Sequence, residues 1–132
     1  MISAKLKTRS TKQSYRDLLV WQCSMDLTTA VYQLTRTFPR EETFGLTSQL
    51  RRSAISIASN IAEGHGRLSA REFRRFLFIA RGSNSELQTQ LQVSVNLRLG
   101  DLQSTNKVQS LSEEVENMLF ALLSKLRSGT SQ

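Results

Sequence analysis

Ser69-Ala-Arg-Glu-Phe-Arg-Arg-Phe-Leu-Phe-Ile-Ala-Arg-Gly-Ser-Asn-Ser-Glu-Leu-Gln-Thr-Gln-Leu-Gln-Val-Ser-Val-Asn-Leu-Arg-Leu99 reads as one uninterrupted helix. Ser69 and Glu72 have the spacing of a capping box, and Gly100 closes the run. Between them Phe73, Phe76, Leu77, Ala80, Leu87, Leu91 and Val95 recur at three- and four-residue steps. At ~1.5 Å per residue the helix would be about 45 Å long. Ile79, Ser83, Glu86, Gln90, Val93 and Leu97 form a second stripe on another side. Gly82 falls mid-helix, where glycine costs ~1 kcal/mol relative to alanine, so another backbone is expected close to it.

Working outward, the breakers cut the rest of the chain into three more helices. Upstream, Gly45 and the Gly64/Gly66 pair bound a helix over about Thr47–His65, with Leu46, Leu50, Ala54, Ile57, Ala58 and Ile61 on its apolar stripe. Gly64-His65-Gly66 reads as its C-cap and turn. Before it, a helix over about Tyr15–Thr37 is expected, with Ser14 as N-cap and Asp17 three residues on. It carries two apolar stripes: Leu18, Trp21, Met25 and Tyr32, and then Val20, Leu27, Val31, Leu34 and Phe38. Pro39 ends it, and residues 38–45 turn the chain through a short helical turn. Downstream, Val108, Leu111, Val115, Met118, Leu119, Leu122 and Leu126 mark a helix over about Ser104–Leu126. The fold expected is all-α, an antiparallel up-and-down four-helix bundle over residues 15–127. A three-helix core with one helix exchanged between subunits fits the same periodicity. Residues 1–14 are expected to be a disordered basic arm and residues 128–132 a C-terminal tail. The expected core includes Trp21, Met25, Leu50, Ile57, Ile61, Phe73, Leu77, Leu87, Leu91, Val115 and Leu122.

Composition narrows the function. The 132 residues carry a net charge of +7, one cysteine (Cys23) and one histidine (His65). A single cysteine excludes a disulfide framework within the chain, and one histidine excludes a His-rich metal site. No metal and no cofactor is expected. No apolar run approaches the ~18 residues of a membrane span, and the basic start lacks an apolar segment behind it, so a cytoplasmic protein is expected. The charge is uneven. Residues 1–16 carry five basic groups and no acid, and residues 51–81 carry seven arginines against Glu63 and Glu72. Such local excess attracts polyanions.

Two stretches, residues 44–64 (Phe44 to Gly64) and residues 76–91 (Phe76 to Leu91), resemble proteins encoded by intervening sequences in bacterial 23S rRNA genes, as do Leu19-Val-Trp21 and Phe38-Pro-Arg-Glu41. The resemblance spans roughly residues 15–103, and Gly45–Gly64 is its most specific part. Members are ribosomal protein-like bundles. The resemblance implies a ring-shaped homopentamer with a proposed nucleic-acid role. Related bundles are accessory proteins of diversity-generating retroelements, where they partner a reverse transcriptase. This chain departs from the common pattern at Ser53, where alanine is frequent, and at Ala58, where proline is common, which should leave the second helix straighter.

Three sites compete. Ser56, Asn60 and Glu63 place a hydroxyl, an amide and a carboxylate on one helical face, but the only histidine, His65, falls at a helix end beside glycines and no catalytic motif is present. No enzymatic activity and no catalytic residue is therefore expected. The face reads instead as a structural polar network, with Arg52, Ser56, Asn60 and Glu63 meeting Ser83, Glu86 and Gln90. Cys23 reads as a small apolar filler. The third site is the arc of about 120° holding Arg71, Arg74, Arg75, Phe78 and Arg81. Guanidinium forks bind phosphate, and an exposed aromatic stacks on an unpaired base. With Lys5, Lys7, Arg9 and Lys12 as a flexible arm, these residues are the expected nucleic-acid-binding set. No recognition-helix, zinc-finger or RNP signature accompanies them, so binding without strong sequence preference is expected, to RNA or DNA. The competing expectation is a protein-interaction module, partnering for example a polymerase or reverse transcriptase, whose arginines pair across a contact. Apolar residues on more than one face of the first and third helices predict a homo-oligomer.

Overall fold

The computed structural model describes residues 14–130, with the side chains of 128–130 left aside. Among the described residues there are four long helices and no strand: α1 (Leu19–Thr35), α2 (Leu46–Gly66), α3 (Ala70–Asn96) and α4 (Leu102–Thr130). Short 3-10 turns precede α1 (Tyr15–Asp17) and α2 (Arg40–Glu42), the second being the turn expected after Pro39. Each helix packs on its neighbours in chain order, α4 closes back on α1, and the α2–α3 seam is the most extensive. Cross-helix bonds give the register. Thr28 reaches Ala54 and Arg51 reaches Thr35 between α1 and α2. Ser53 pairs with Gln90 and Ser56 with Ser83 between α2 and α3. Asn84 meets Ser112 and Arg81 meets Glu116 between α3 and α4. Numbers fall along one helix as they rise along the next, which is antiparallel packing.

The helix bounds differ from expectation at α1, α3 and α4. Ser14 and Asp17 do form a capping box: Asp17 Oδ2 accepts from Ser14 N at 3.3 Å, and Ser14 Oγ also accepts from Arg16 N at 3.2 Å. They close a 3-10 turn rather than opening α1, because Leu18 is extended (φ −74°, ψ 126°). Helix α4 runs on to Thr130, past the expected tail boundary. Helix α3 starts on its Ser69 cap, whose Oγ accepts from Glu72 N at 3.3 Å, and ends at Asn96 rather than Leu99.

The core is one cluster fed by all four helices. Leu27, Val31 and Leu34 of α1 meet Leu50, Ile57 and Ile61 of α2, Leu77 and Leu87 of α3, and Val108, Val115 and Leu119 of α4, all fully buried. Met25 is a correction, since it is 41% exposed. At ~100° per residue the stripe holding Met25 stands roughly 130° round α1 from the one holding Leu27 and Val31, and only the latter faces the bundle axis. Trp21, Phe73 and Leu122 are partly buried against the cluster rather than inside it.

The glycines also change roles. A Cβ on Gly82 would meet nothing within 4 Å, so no backbone approaches there. The close approach is at Gly64, where a Cβ would lie 2.5 Å from Phe76 Cβ. Gly64 and Gly66 lie within α2 rather than forming a turn beyond it, and the left-handed residue between α2 and α3 is Leu68 (φ 57°). Gly100 does fill its turn: its φ of 74° and the Leu34 and Phe38 side chains against it leave no room for a Cβ.

One polar cluster sits within the bundle. Asn84 is fully buried; its Nδ2 donates to Ser112 O at 3.0 Å, and its Oδ1 accepts from Ser112 Oγ at 2.8 Å. Gln88 Nε2 donates to the same hydroxyl at 2.9 Å. A buried amide satisfied on both sides costs little, whereas an unmet one costs ~1–3 kcal/mol.

Candidate nucleic-acid interface

The arginine face follows from helical spacing: Arg71, Arg74, Arg75, Phe78 and Arg81 sit at steps of three and four along the first half of α3. The apolar Phe76, Leu77 and Ala80 point into the bundle, which leaves these five outside. Arg71 and Arg75 are exposed, Arg74 and Arg81 are half-buried, and Phe78 is 47% exposed. The guanidinium groups lie over aromatic rings. Arg74 stands 5.3 Å from the Phe78 centroid, Arg75 4.5 Å from Phe76, and Arg81 5.9 Å from Phe120. Two of the arginines also have carboxylate partners: Arg75 with Glu72 at 3.2 Å and Arg81 with Glu116 at 2.8 Å. Both pairs are solvent-accessible and worth at most ~1 kcal/mol, so a phosphate can compete for those arginines.

Helix α4 completes the face. A cleft of about 190 Å³ opens between α3 and α4, lined by Arg74, Phe78 and Arg81 on one wall and Phe120, Ser124 and Arg127 on the other. Phe120 is 60% exposed. Neither Phe120 nor Arg127 was in the expected set. Their signal was present: Glu116, Phe120 and Arg127 lie at steps of four and seven, off the stripe that carries Val115 and Leu119. Lys5, Lys7, Arg9 and Lys12 lie outside the described residues.

The expected polar network forms in part. Ser56 Oγ and Ser83 Oγ are 2.8 Å apart, and Asn60 Nδ2 donates to Ser56 Oγ at 3.1 Å. Buried Ser53 and half-buried Gln90 extend this seam at 3.0 Å. Arg52, Glu63 and Glu86 are exposed and stand apart from it. Arg52 turns to Ser48 of its own helix, and Glu63 pairs with Arg67 one turn on at 2.7 Å. The bonds that do form knit α2 to α3.

The other chemistry-bearing groups are packed. Burial, with the carboxylates of Glu114 and Asp26 adding to it, pushes the Cys23 thiol up to about 11. His65 stands edge-on to Phe73, ring centroids 5.6 Å apart. Among the described residues no group of three or more His, Cys, Asp or Glu side chains is placed to hold a metal ion, and no helix is long and apolar enough to cross a membrane.

A solved structure from Bacteroides thetaiotaomicron VPI-5482, described as a protein with unknown function from the S23 ribosomal protein family, is similar to this chain with a TM-score of 0.73. The two are 21% identical over 80% of this chain and 96% of the other, a likeness that bears on the fold. A comparison with curated proteins returned no match. The family model of the 23S rRNA-intervening sequence proteins matches residues 16–121, the whole of α1, α2 and α3 and most of α4, and the chain belongs to that family.

Proposed function

We propose that this protein is a non-enzymatic, cytoplasmic, oligomeric bundle that binds nucleic acid through the arginine face of α3, by charge rather than by sequence. The observation that carries the reading is the gathering of Arg71, Arg74, Arg75 and Arg81 around an exposed Phe78, with Phe120 and Arg127 across the α3–α4 seam. Side chains of this kind track a phosphate backbone and stack on ring faces without reading base edges. The arm residues Lys5, Lys7, Arg9 and Lys12 add charge to the same binding.

Oligomerisation is supported by apolar side chains left in solvent. Ile79 and Val93 are each 41% exposed and Leu97 is 57% exposed, on the side of α3 away from the core. Five subunits is the number that the family resemblance implies, and a closed ring would repeat the basic face around its circumference. Light scattering is expected to return a multiple of 14.9 kDa at micromolar concentration, and a particle of that mass itself overturns the assembly.

Fluorescence anisotropy against salt tests the binding. Wild-type affinity should fall steeply with salt, and replacing Arg71, Arg74, Arg75 and Arg81 together by Gln should weaken binding and flatten that slope by roughly one per lost phosphate contact. If the Gln variant folds and keeps both affinity and slope, the arginine face is not the binding surface. The apolar surface then makes the protein a partner-binding module.

A further inference from the structure

The α3–α4 cleft is more specific than a charged face needs to be. Two phenylalanines from different helices line it, both about half exposed, and both lie under a guanidinium. Evolution of a merely solvated basic surface gives no reason to hold large apolar rings in water on both walls. The buried Leu123 also lines the cleft, so one region of it is apolar while arginines rim it. Its volume, about 190 Å³, suits a single ring system, since a cavity of ~150 Å³ takes up one benzene.

Arg74 adds a polar demand. Its Nε is buried and has no hydrogen-bond partner among the described residues, although its guanidinium lies over Phe78. A buried donor without an acceptor is unfavourable, and a phosphate oxygen brought to the cleft rim gives it one when Arg74 turns outward. The site thus asks for a flat ring and an anion joined within a few bonds.

We infer that this cleft receives one unpaired nucleobase, stacked against Phe78, Phe120 and the guanidinium planes, with its phosphate on the cleft's arginines, so that single strands bind in preference to duplex. The inference rests on the proposal that the arginine face binds nucleic acid, and adds which form is bound. In a duplex the ring faces are already stacked on one another, and only base edges and phosphates remain to be met. A single strand offers its ring faces freely, and both aromatic side chains and arginine planes stack on them. Duplex binding would use the arginines alone and leave both phenylalanines in water.

The test uses the full chain with a labelled short oligothymidine and a labelled mixed-sequence duplex, each titrated at several salt concentrations. Phe120→Ala should weaken oligothymidine binding by about 5- to 150-fold, with duplex affinity and both salt slopes unchanged. Phe120→Tyr keeps the ring and should keep the affinity. The four-arginine Gln variant should weaken both probes. If Phe120→Ala lowers both probes equally, or neither, no base enters the cleft, and the arginine proposal survives as long as the Gln variant still loses binding. If the Gln variant binds both probes normally, the underlying proposal has failed instead. A change of particle mass in Phe120→Ala would make the cleft a contact between copies of the chain and overturn the inference. Phe120 is exposed, so circular dichroism should show an intact helical fold in every variant.

Discussion

Alanine at Gly64 and alanine at Gly82 should move stability in opposite directions, although both glycines lie inside long helices. In a helix interior the change to alanine gains ~0.5–1 kcal/mol, because glycine gives up more backbone freedom on folding. At Gly82 nothing lies within 4 Å of the new Cβ, so the full gain of ~0.5–1 kcal/mol should appear. At Gly64 the Cβ would stand 2.5 Å from Phe76 Cβ, 3.2 Å from Phe73 Cδ1 and 3.3 Å from Phe73 O. Carbon atoms prefer ~3.5–4.0 Å. Phe76 Cβ is one bond from its backbone, so relief requires α2 and α3 to part, not a side chain to swing. Overpacking of this kind costs ~1–3 kcal/mol. Subtracting the propensity gain leaves Gly64→Ala destabilised by about 1 kcal/mol at the middle of that range, and the two variants separated by the overpacking cost itself, about 1–3 kcal/mol. Urea unfolding followed by circular dichroism, repeated at several protein concentrations because assembly stabilises by mass action, reads both. A Gly64→Ala protein as stable as the parent would refute the reasoning, since it would mean the α2–α3 seam yields freely. A Gly82→Ala loss that fades on dilution would place a second copy of the chain against that glycine.

Two further expectations are simpler. Leu87 is fully buried, so Leu87→Ala should cost ~2–5 kcal/mol, and a denaturation midpoint equal to the parent's would remove it from the core. Cys23 should resist alkylation in the folded protein at neutral pH and react once the chain is unfolded, because its thiol stays protonated up to about 11. Its raised value means that stability is whole below the ordinary 9.0 and falls as pH rises from there through about 11, where the unfolded chain alone releases the proton. Cys23→Ala should shrink that alkaline loss, and rapid labelling of the native protein would show the thiol to be open.

The four helices were legible because their breakers and periodicities agree locally: Pro39, Gly45 and Gly100 fall between elements, and Leu50, Ile57 and Leu87 are buried as their stripes predict, although Val95 on the Leu87 stripe is exposed. What was not legible depends on neighbours. Trp21 and Met25 are as apolar as Leu27 and Val31, and only the position of the other helices decides which stripe of α1 is covered. Gly64 and Gly82 look equally out of place in a helix, and which one meets another element is settled by where Phe73 and Phe76 of α3 lie against α2. Arg52, Glu63 and Glu86 were expected to join a network because they share a face with Ser56 and Ser83. Ser56 and Ser83 met across the seam, while Arg52 and Glu63 found partners close along the chain and Glu86 is exposed. The arginine face was visible on α3 alone. Its other wall needed the register of α4, since nothing local to Phe120 says it stands opposite Arg81.

That register has a keeper. Asn84 and Ser112 exchange two bonds at the centre of the α3–α4 seam, and sliding one helix by a turn, ~5.4 Å, would break both of them. The pair therefore acts as an index mark between the two helices. Phe78 is six residues before the mark and Phe120 eight after it, on the same end of the seam. The cleft walls cannot be offset by creep along the helix axes, and the cheaper deformation is a spreading of the helix ends about the mark, like jaws on a pivot. A buried amide and hydroxyl, with no ligand contact of their own, thus hold the two jaws in line and leave only the width of the bite free to vary.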